Sequence, residues 1–203
     1  MIKNNYQLEL EELESMGSNK RVLLHSCYAP CSSHVISVLT NYADITILYY
    51  NPNISPREEY NKRKEEQIRL IKEIDKKHNV DIIDCDYDND LYESLIKGYE
   101  DCPERGDRCT ICFNLRLEKT AKLAHDAGYD YFCSTLSVSP YKNAKLINEI
   151  GEKLEKKYNA KWLHSDFKKQ DGYKHSIELS HKYNLYRQDY CGCKYSIRTN
   201  KQE

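Results

Sequence analysis

Six cysteines of this chain form three close pairs, a spacing at which thiol groups can bind metal or carry out redox chemistry. The chain has 203 residues and nine cysteines, and the pairs are Cys27 and Cys31, Cys109 and Cys112, and Cys191 and Cys193. Clustered cysteines in a reducing compartment more often serve these two purposes than form structural disulfides. The remaining three, Cys85, Cys102 and Cys133, stand alone and are expected to behave as small hydrophobic residues.

The second pair has C-x-x-C spacing at the start of a predicted helix. Two thiolates at this spacing can face one metal, and the positive end of a helix lowers the pKa of a thiol. The first pair brings the number of available thiolates to four. Four thiolates fit either a tetrahedral zinc ion or a four-iron cluster, and the spacing alone does not choose between them.

The third pair, Cys191-Gly192-Cys193, places two thiols so close together that a disulfide between them would be strained. A strained disulfide is easily reduced, so this pair suits a redox role better than a structural one. The alternative is that one of the two binds metal and the other takes no part. Six paired cysteines exceed the needs of one structural zinc, which favours redox chemistry.

Composition and charge describe a globular protein with an uneven distribution of charge. The formal net charge is -1. No apolar run approaches the length of a membrane span, and the polar start lacks a signal-peptide core, so we expect a cytoplasmic protein with no membrane partner. Residues 81–104 contain nine acids and one lysine, whereas residues 138–203 contain 14 Lys or Arg and eight Asp or Glu. A basic C-terminal third suits RNA, although a solvated lysine face would give the same pattern.

The elements that must position the cysteines alternate between strand-like and helical patterns. Short apolar runs predict strands at 21–26, 44–50, 80–87, 129–135 and 161–165, with amphipathic helices between them. This alternation predicts one α/β domain over 1–203 with a parallel, doubly wound sheet of about five strands. Residues 1–20 form an N-terminal extension and residues 186–203 a cysteine-bearing tail. The loops after the first and fourth strands should then meet at a ligand-binding edge.

Five segments together resemble the QueH-type epoxyqueuosine reductases: LLHSCYAPCSS, RCTICFNLRL, STLSVSPYKN, DFKKQDGY and LYRQDYCGCKYS. The similarity runs from Val22 to Ser196. It implies a fold of the HUP nucleotide-binding class and the reductive removal of the epoxide oxygen of epoxyqueuosine. The substrate would be the wobble nucleotide of tRNAs with GUN anticodons, which are those for Tyr, His, Asn and Asp. The resemblance also implies a 4Fe–4S cluster, an adjacent single metal ion, for which we expect iron, and an electron donor.

Carried over by position, Cys27, Cys109 and Cys112 are expected cluster ligands. Many members of the family read Cys-Cys-x-Pro after the first strand, but here Tyr28 occupies the second position. Because tyrosine supplies no thiolate, Cys31 is the candidate for the fourth ligand or for the adjacent metal.

The remaining candidate residues follow from the same chemistry. Cys191 and Cys193 match a C-G-C motif of the family, as a redox-active pair or as additional metal ligands. Converting an epoxide to an alkene consumes two electrons and two protons, and Tyr141 and Lys142 are the candidate proton donors. Basic residues near these motifs are candidates for binding tRNA phosphates: Arg116, Lys142, Lys168, Lys169 and Arg187.

Two other classes of protein share part of this pattern. An ATP pyrophosphatase that modifies tRNA needs a glycine-rich phosphate loop after the first strand, and SCYAPCSS lacks those glycines. A structural zinc protein that binds RNA without catalysis would contain zinc and no sulfide, so metal and sulfide analysis separates it from a reductase.

Overall fold

Four parallel strands form one sheet at the centre of this α/β domain. The computed structural model describes residues 20–188 and 190–197; residues 1–19 of the predicted extension, and Asp189 and residues 198–203 of the predicted tail, lie outside the described part. The strands are β1 (Arg21–His25), β2 (Asp44–Tyr49), β3 (Val80–Asp84) and β4 (Tyr131–Ser134), in the order β3-β2-β1-β4. The chain therefore winds outward from β1 to β3 and then returns to the other side of β1.

In the described part of the chain, six α-helices connect and flank these strands. They are α1 (Ala29–Leu39), α2 (Arg57–Glu73), α3 (Asn89–Leu95), α4 (Asp107–Asp126), α5 (Ala144–Tyr158) and α6 (Gly172–Lys182). Two short 3-10 turns, Thr135–Val138 and Lys194–Ser196, follow β4 and the C-G-C segment. Helix α1 packs against α6, and α4 packs against α5, β1 and β4. None of the helices in the described ranges is both long and apolar enough to cross a membrane.

Local sequence explains where the helices that carry the site begin. Pro30 lies in the first turn of α1, where its missing N–H costs no hydrogen bond. The Asn143 side chain accepts a hydrogen bond from the Leu146 N–H at 3.2 Å and so caps α5. Helix α5 then buries an apolar stripe of Ile147, Ile150 and Leu154.

Helix α2 presents a mixed apolar and polar face to the core. Tyr60 and Ile71 are buried, whereas Ile68 is only half-buried. Arg63 and Gln67 are instead buried on the same side of the helix. Polar groups therefore occupy core positions of α2 directly behind the loop that follows β1.

The predicted fifth strand is reduced to one bridge. Phe132 pairs in parallel with Trp162, where the Leu163 N–H donates to the Phe132 carbonyl at 3.0 Å. The next N–H that could extend the ladder belongs to Ser165, and it donates to Asn148 Oδ1 at 3.1 Å. The side chain from α5 thus ends the pairing, which leaves four strands in place of about five.

Candidate active site

The loops after β1 and β4 meet at the carboxyl edge of the sheet, as the sequence predicts for a doubly wound order. His25 at the end of β1 pairs with Ser134 at the end of β4. The His25 ring bridges the strands, with Nδ1 2.9 Å from Ser134 Oγ and Nε2 3.1 Å from the Tyr50 carbonyl oxygen. Burial lowers the pKa of His25 well below its usual value, so this ring is a neutral link. Beyond it, Cys27 Sγ lies 3.8 Å from Thr135 Oγ1.

The cysteine loop after β1 is anchored from behind by α2. Ser26 Oγ and Ser32 Oγ both donate to Gln67 Oε1, at 2.9 and 2.7 Å. Cys27 and Cys31 are buried between these two anchors. Burial raises the pKa of Cys31 to about 12, and the charge of a Cys27 thiolate would contribute to this rise.

The C-x-x-C pair lies in the first turns of α4, as predicted. The Arg105 N–H donates to Cys109 Sγ at 3.3 Å. Burial raises the pKa of both thiols, that of Cys112 to about 12, although Arg116 one turn later opposes this effect. The neighbouring cysteines raise the pKa values of Cys109 and Cys112 further. These two thiols therefore stay protonated unless a cation stabilises their thiolate forms.

The C-G-C tail packs against the loop between β2 and α2. The Ser55 N–H donates to the Gly192 carbonyl at 2.9 Å, and Arg63 Nη1 donates to the Cys191 carbonyl at 3.1 Å. Gly192 has a φ of 106°, a conformation that glycine adopts without strain. All nine cysteines are free, so no disulfide joins Cys191 to Cys193.

Helix α3 holds the tail from the other side. Tyr92 OH lies 3.2 Å from Cys193 Sγ, and both groups are buried. Glu93 accepts from Lys194 Nζ at 2.9 Å and from the Tyr195 hydroxyl at 2.8 Å. The position of Cys193 is therefore set by a short helix from the acidic part of the sequence.

Tyr28, which departs from the family pattern, packs against the arginine that holds the tail. The Arg63 guanidinium lies 5.8 Å from the centre of the Tyr28 ring and 5.1 Å from that of Tyr190. Such distances are typical of cation–π contacts. The Tyr28 side chain therefore links the first cysteine loop to the C-terminal tail.

Two adjacent cavities lie in front of the cysteines. The inner cavity, of about 30 Å³, is lined by four of the paired cysteines together with Tyr92, Arg108 and Lys142. Those cysteines are Cys109, Cys112, Cys191 and Cys193. The outer cavity, of about 310 Å³, has tyrosines and cations in its wall: Tyr28, Tyr141, Tyr173, Tyr190, Lys142 and Arg187. Lys142 and Cys191 line both and so lie where the two cavities join.

The side chains that could hold a redox group at this site are thiols. In residues 20–188 and 190–197, no three His, Cys, Asp or Glu side chains are grouped so that they could hold one metal ion. In a four-iron cluster each thiolate binds a different iron, so the sulfurs stand farther apart than around one zinc. A buried cation, Arg116, also lies near the thiols. Cys112, Cys27 and Cys191 are among the groups whose ionised forms raise the pKa of Arg116. A group with net negative charge therefore fits this environment, and the adjacent single iron stays a prediction.

The other predicted residues fall in three places. Tyr141, Lys142 and Arg187 line the outer cavity. Lys168 and Lys169 instead form ion pairs with Asp166 and are not among the residues that line either cavity. Arg116 is 1% exposed, so its position suits the thiolates better than tRNA phosphates.

The sequence analysis missed the polar residues that hold the cysteine segments in place. Arg63 and Gln67 recur at helical spacing with the buried Tyr60 of α2, so a charged helix with polar residues on its core stripe was the available signal. No pattern in the sequence marks Tyr92 and Glu93, because α3 is short and its role depends on which part of the domain the C-terminal tail packs against.

Comparisons with known proteins show the family of this chain. The family whose description is "Epoxyqueuosine reductase QueH" matches residues 22–199. A protein of that name from Staphylococcus epidermidis is 44% identical over 199 residues, which cover 94% of this chain and 84% of the relative. One from Streptococcus pyogenes is 40% identical over 97% of this chain and 79% of the relative. One from Thermotoga maritima is 34% identical over 90% of this chain and 93% of the relative.

Proposed function

The chain belongs to the epoxyqueuosine reductase QueH family, and from this premise we propose that it reduces epoxyqueuosine to queuosine in tRNA. The epoxide oxygen leaves as water after the substrate takes up two electrons and two protons, and the two carbons become an alkene. The observation that carries the proposal is that two separate cysteine segments, the C-x-x-C pair and the C-G-C tail, line one inner cavity beside a tyrosine-lined outer cavity.

The outer cavity would receive the modified nucleoside. Its volume of about 310 Å³ lies at the lower end of the range usual for ligand pockets. Tyrosine rings provide surfaces on which an unstacked base can pack, and Lys142 and Arg187 provide positive charge for the phosphates beside it. The wobble nucleotide of an anticodon loop is single-stranded, so little unpairing is needed for it to enter.

The redox group would be held by cysteines of the inner cavity together with the loop after β1, whose cysteines line neither cavity. We propose Cys109 and Cys112 with Cys27 as ligands of a 4Fe–4S cluster, and Cys31 or Cys191 as the fourth donor. When bound, this group supplies single electrons to the substrate. Cys191 and Cys193 then remain a redox pair or further ligands, and an adjacent iron would need a donor set drawn from the same residues.

Lys142 is the best-placed proton donor. Burial opposes the charge of Lys142, whereas Cys191, Cys27 and Cys31 would favour it once ionised, and the balance raises the pKa of Lys142 above its usual value. A protonated amine at the junction of the cavities can hold a hydrogen bond to the epoxide oxygen and deliver a proton to it. Tyr141, which is 54% exposed at the mouth, would supply the second proton or stack on the base.

The test is anaerobic turnover of epoxyqueuosine-containing tRNA by the reconstituted protein, with iron and sulfide measured per chain. We expect queuosine in tRNAs with GUN anticodons, and loss of both activity and iron in Cys112→Ser. Cys133→Ser is the matched control, since Cys133 is also a buried thiol but belongs to β4 and lines neither cavity. A Cys112→Ser protein with normal iron would overturn the ligand assignment, and zinc without sulfide would favour the RNA-binding alternative.

A further inference from the structure

Arg116 is a buried cation that has no carboxylate partner among residues 20–188 and 190–197. Its side chain is 1% exposed, and its Nε and Nη1 donate only to neutral oxygens, the Cys112 carbonyl at 3.4 Å and Asn51 Oδ1 at 3.3 Å. Its Nη2 has no hydrogen-bond partner. Arg63 is equally buried but pairs with Glu59 at 2.7 Å. A guanidinium buried without an anion is costly, so a negative group other than a carboxylate is expected beside it.

Cys112 is the proposed ligand that Arg116 contacts directly. Helix α4 places Arg116 one turn after Cys112, and Arg116 Nε donates to the Cys112 carbonyl. Burial opposes the charge of Arg116, whereas Cys112, Cys27, Cys191 and Tyr92 would favour it once ionised, and the balance raises its pKa. In return, Arg116 favours the ionised form of Cys112.

We propose that Arg116 is a positioning residue whose guanidinium balances the negative charge of the thiolate-bound cluster and raises its reduction potential. The inference rests on the proposed function, which supplies the cluster. Reduction adds one negative charge to a group that is already negative, and a buried cation nearby stabilises the reduced state more than the oxidised one. Without this charge the cluster would be harder to reduce.

The experiment compares Arg116→Met and Arg116→Lys with wild type after anaerobic reconstitution. Iron and sulfide per chain, and the reduction potential from a spectroelectrochemical titration, are measured on each protein, and circular dichroism confirms that each is folded. For Arg116→Met we expect the reduction equilibrium to weaken at least tenfold, about 59 mV for a one-electron couple. Arg116→Lys keeps the charge and should restore most of the potential. Lys119→Met is the matched control, because it removes a positive charge one turn later on the exposed side of α4.

Each outcome decides the matter. If the folded Arg116→Met protein retains no iron and the Arg116→Lys protein retains it, the positive charge is needed for assembly of the cluster, which also supports the inference. An Arg116→Met cluster with the wild-type potential would overturn the inference, as would an Arg116→Lys protein whose potential falls as far as that of Arg116→Met. Wild-type protein that takes up no iron would overturn the proposed cofactor and this inference with it.

Discussion

Replacement of Gly192 by alanine should loosen the tail that closes the inner cavity. A Cβ at this position would lie 2.8 Å from Arg63 Nη1 and 2.9 Å from Ile54 Cγ1. Real Cβ atoms essentially never approach other atoms so closely, and neither neighbour is free to move. Ile54 is fully buried, and Arg63 is held by its ion pair with Glu59 and its hydrogen bond to the Cys191 carbonyl.

The size of the effect follows from two contributions that a second glycine separates. The φ of 106° at Gly192 strains any residue with a Cβ, which costs about 1 kcal/mol. The steric overlap with Arg63 and Ile54 adds about 2 kcal/mol through overpacking and a weakened hydrogen bond. Gly98 is the matched control, because its φ is 88° but nothing lies within 4 Å of its Cβ position. Gly98→Ala should therefore show only the first contribution.

The assay is urea unfolding of the metal-free protein, combined with the rate at which maleimide modifies Cys191 and Cys193. We expect Gly192→Ala to be less stable than Gly98→Ala by about 2 kcal/mol, or to expose the two thiols if the tail detaches before the domain unfolds. Equal stability of the two variants together with unchanged thiol reactivity would refute the close packing of the tail against α2.

Two further predictions concern buried polar contacts. Tyr92→Phe removes the hydroxyl that contacts Cys193 and should lower the free energy of unfolding by about 1 kcal/mol, measured by urea unfolding. Tyr99→Phe, at an exposed position, should leave the free energy of unfolding unchanged. Equal effects of the two substitutions would count against the contact. Burial and the adjacent histidine of α6 lower the pKa of His34 to about 4, so the folded state resists a protonation that the unfolded chain accepts. Stability should therefore fall by up to about 3 kcal/mol between pH 6.5 and pH 4. His34→Leu should flatten this dependence and the exposed His181→Leu should not, and a pH profile that survives His34→Leu would assign the dependence to other groups.

The sheet could be predicted from the sequence because its signal is local. The runs at β1 and β2 are short, apolar and separated by amphipathic helical segments, and only a parallel arrangement accommodates that alternation. The segment around Trp162 has the same local signal but makes a single bridge, because the Asn148 side chain takes the N–H that would have continued the ladder. A competing hydrogen bond from a side chain on another element leaves no trace in the periodicity of the strand itself.

The candidate site divides in the same way between local and long-range causes. Spacing within the chain was enough to single out Cys27 and Cys31, since a doubly wound sheet brings the ends of β1 and β4 together. The positions of Arg63 and Tyr92 relative to the tail depend on how residues 190–197 return to the sheet, and nothing in the local sequence fixes that path.

The acidic segment of the sequence helps to position the C-G-C tail. Its residue Glu93 accepts hydrogen bonds from Lys194 and Tyr195 and so fixes the tail. The cations Lys142 and Arg187 line the outer cavity, and Glu104 is an acid in the same wall. Cys191 of the tail lines both cavities, whereas Cys193 lines only the inner one. The contacts of Glu93 with Lys194 and Tyr195 therefore hold in place a segment that forms part of the wall of each cavity.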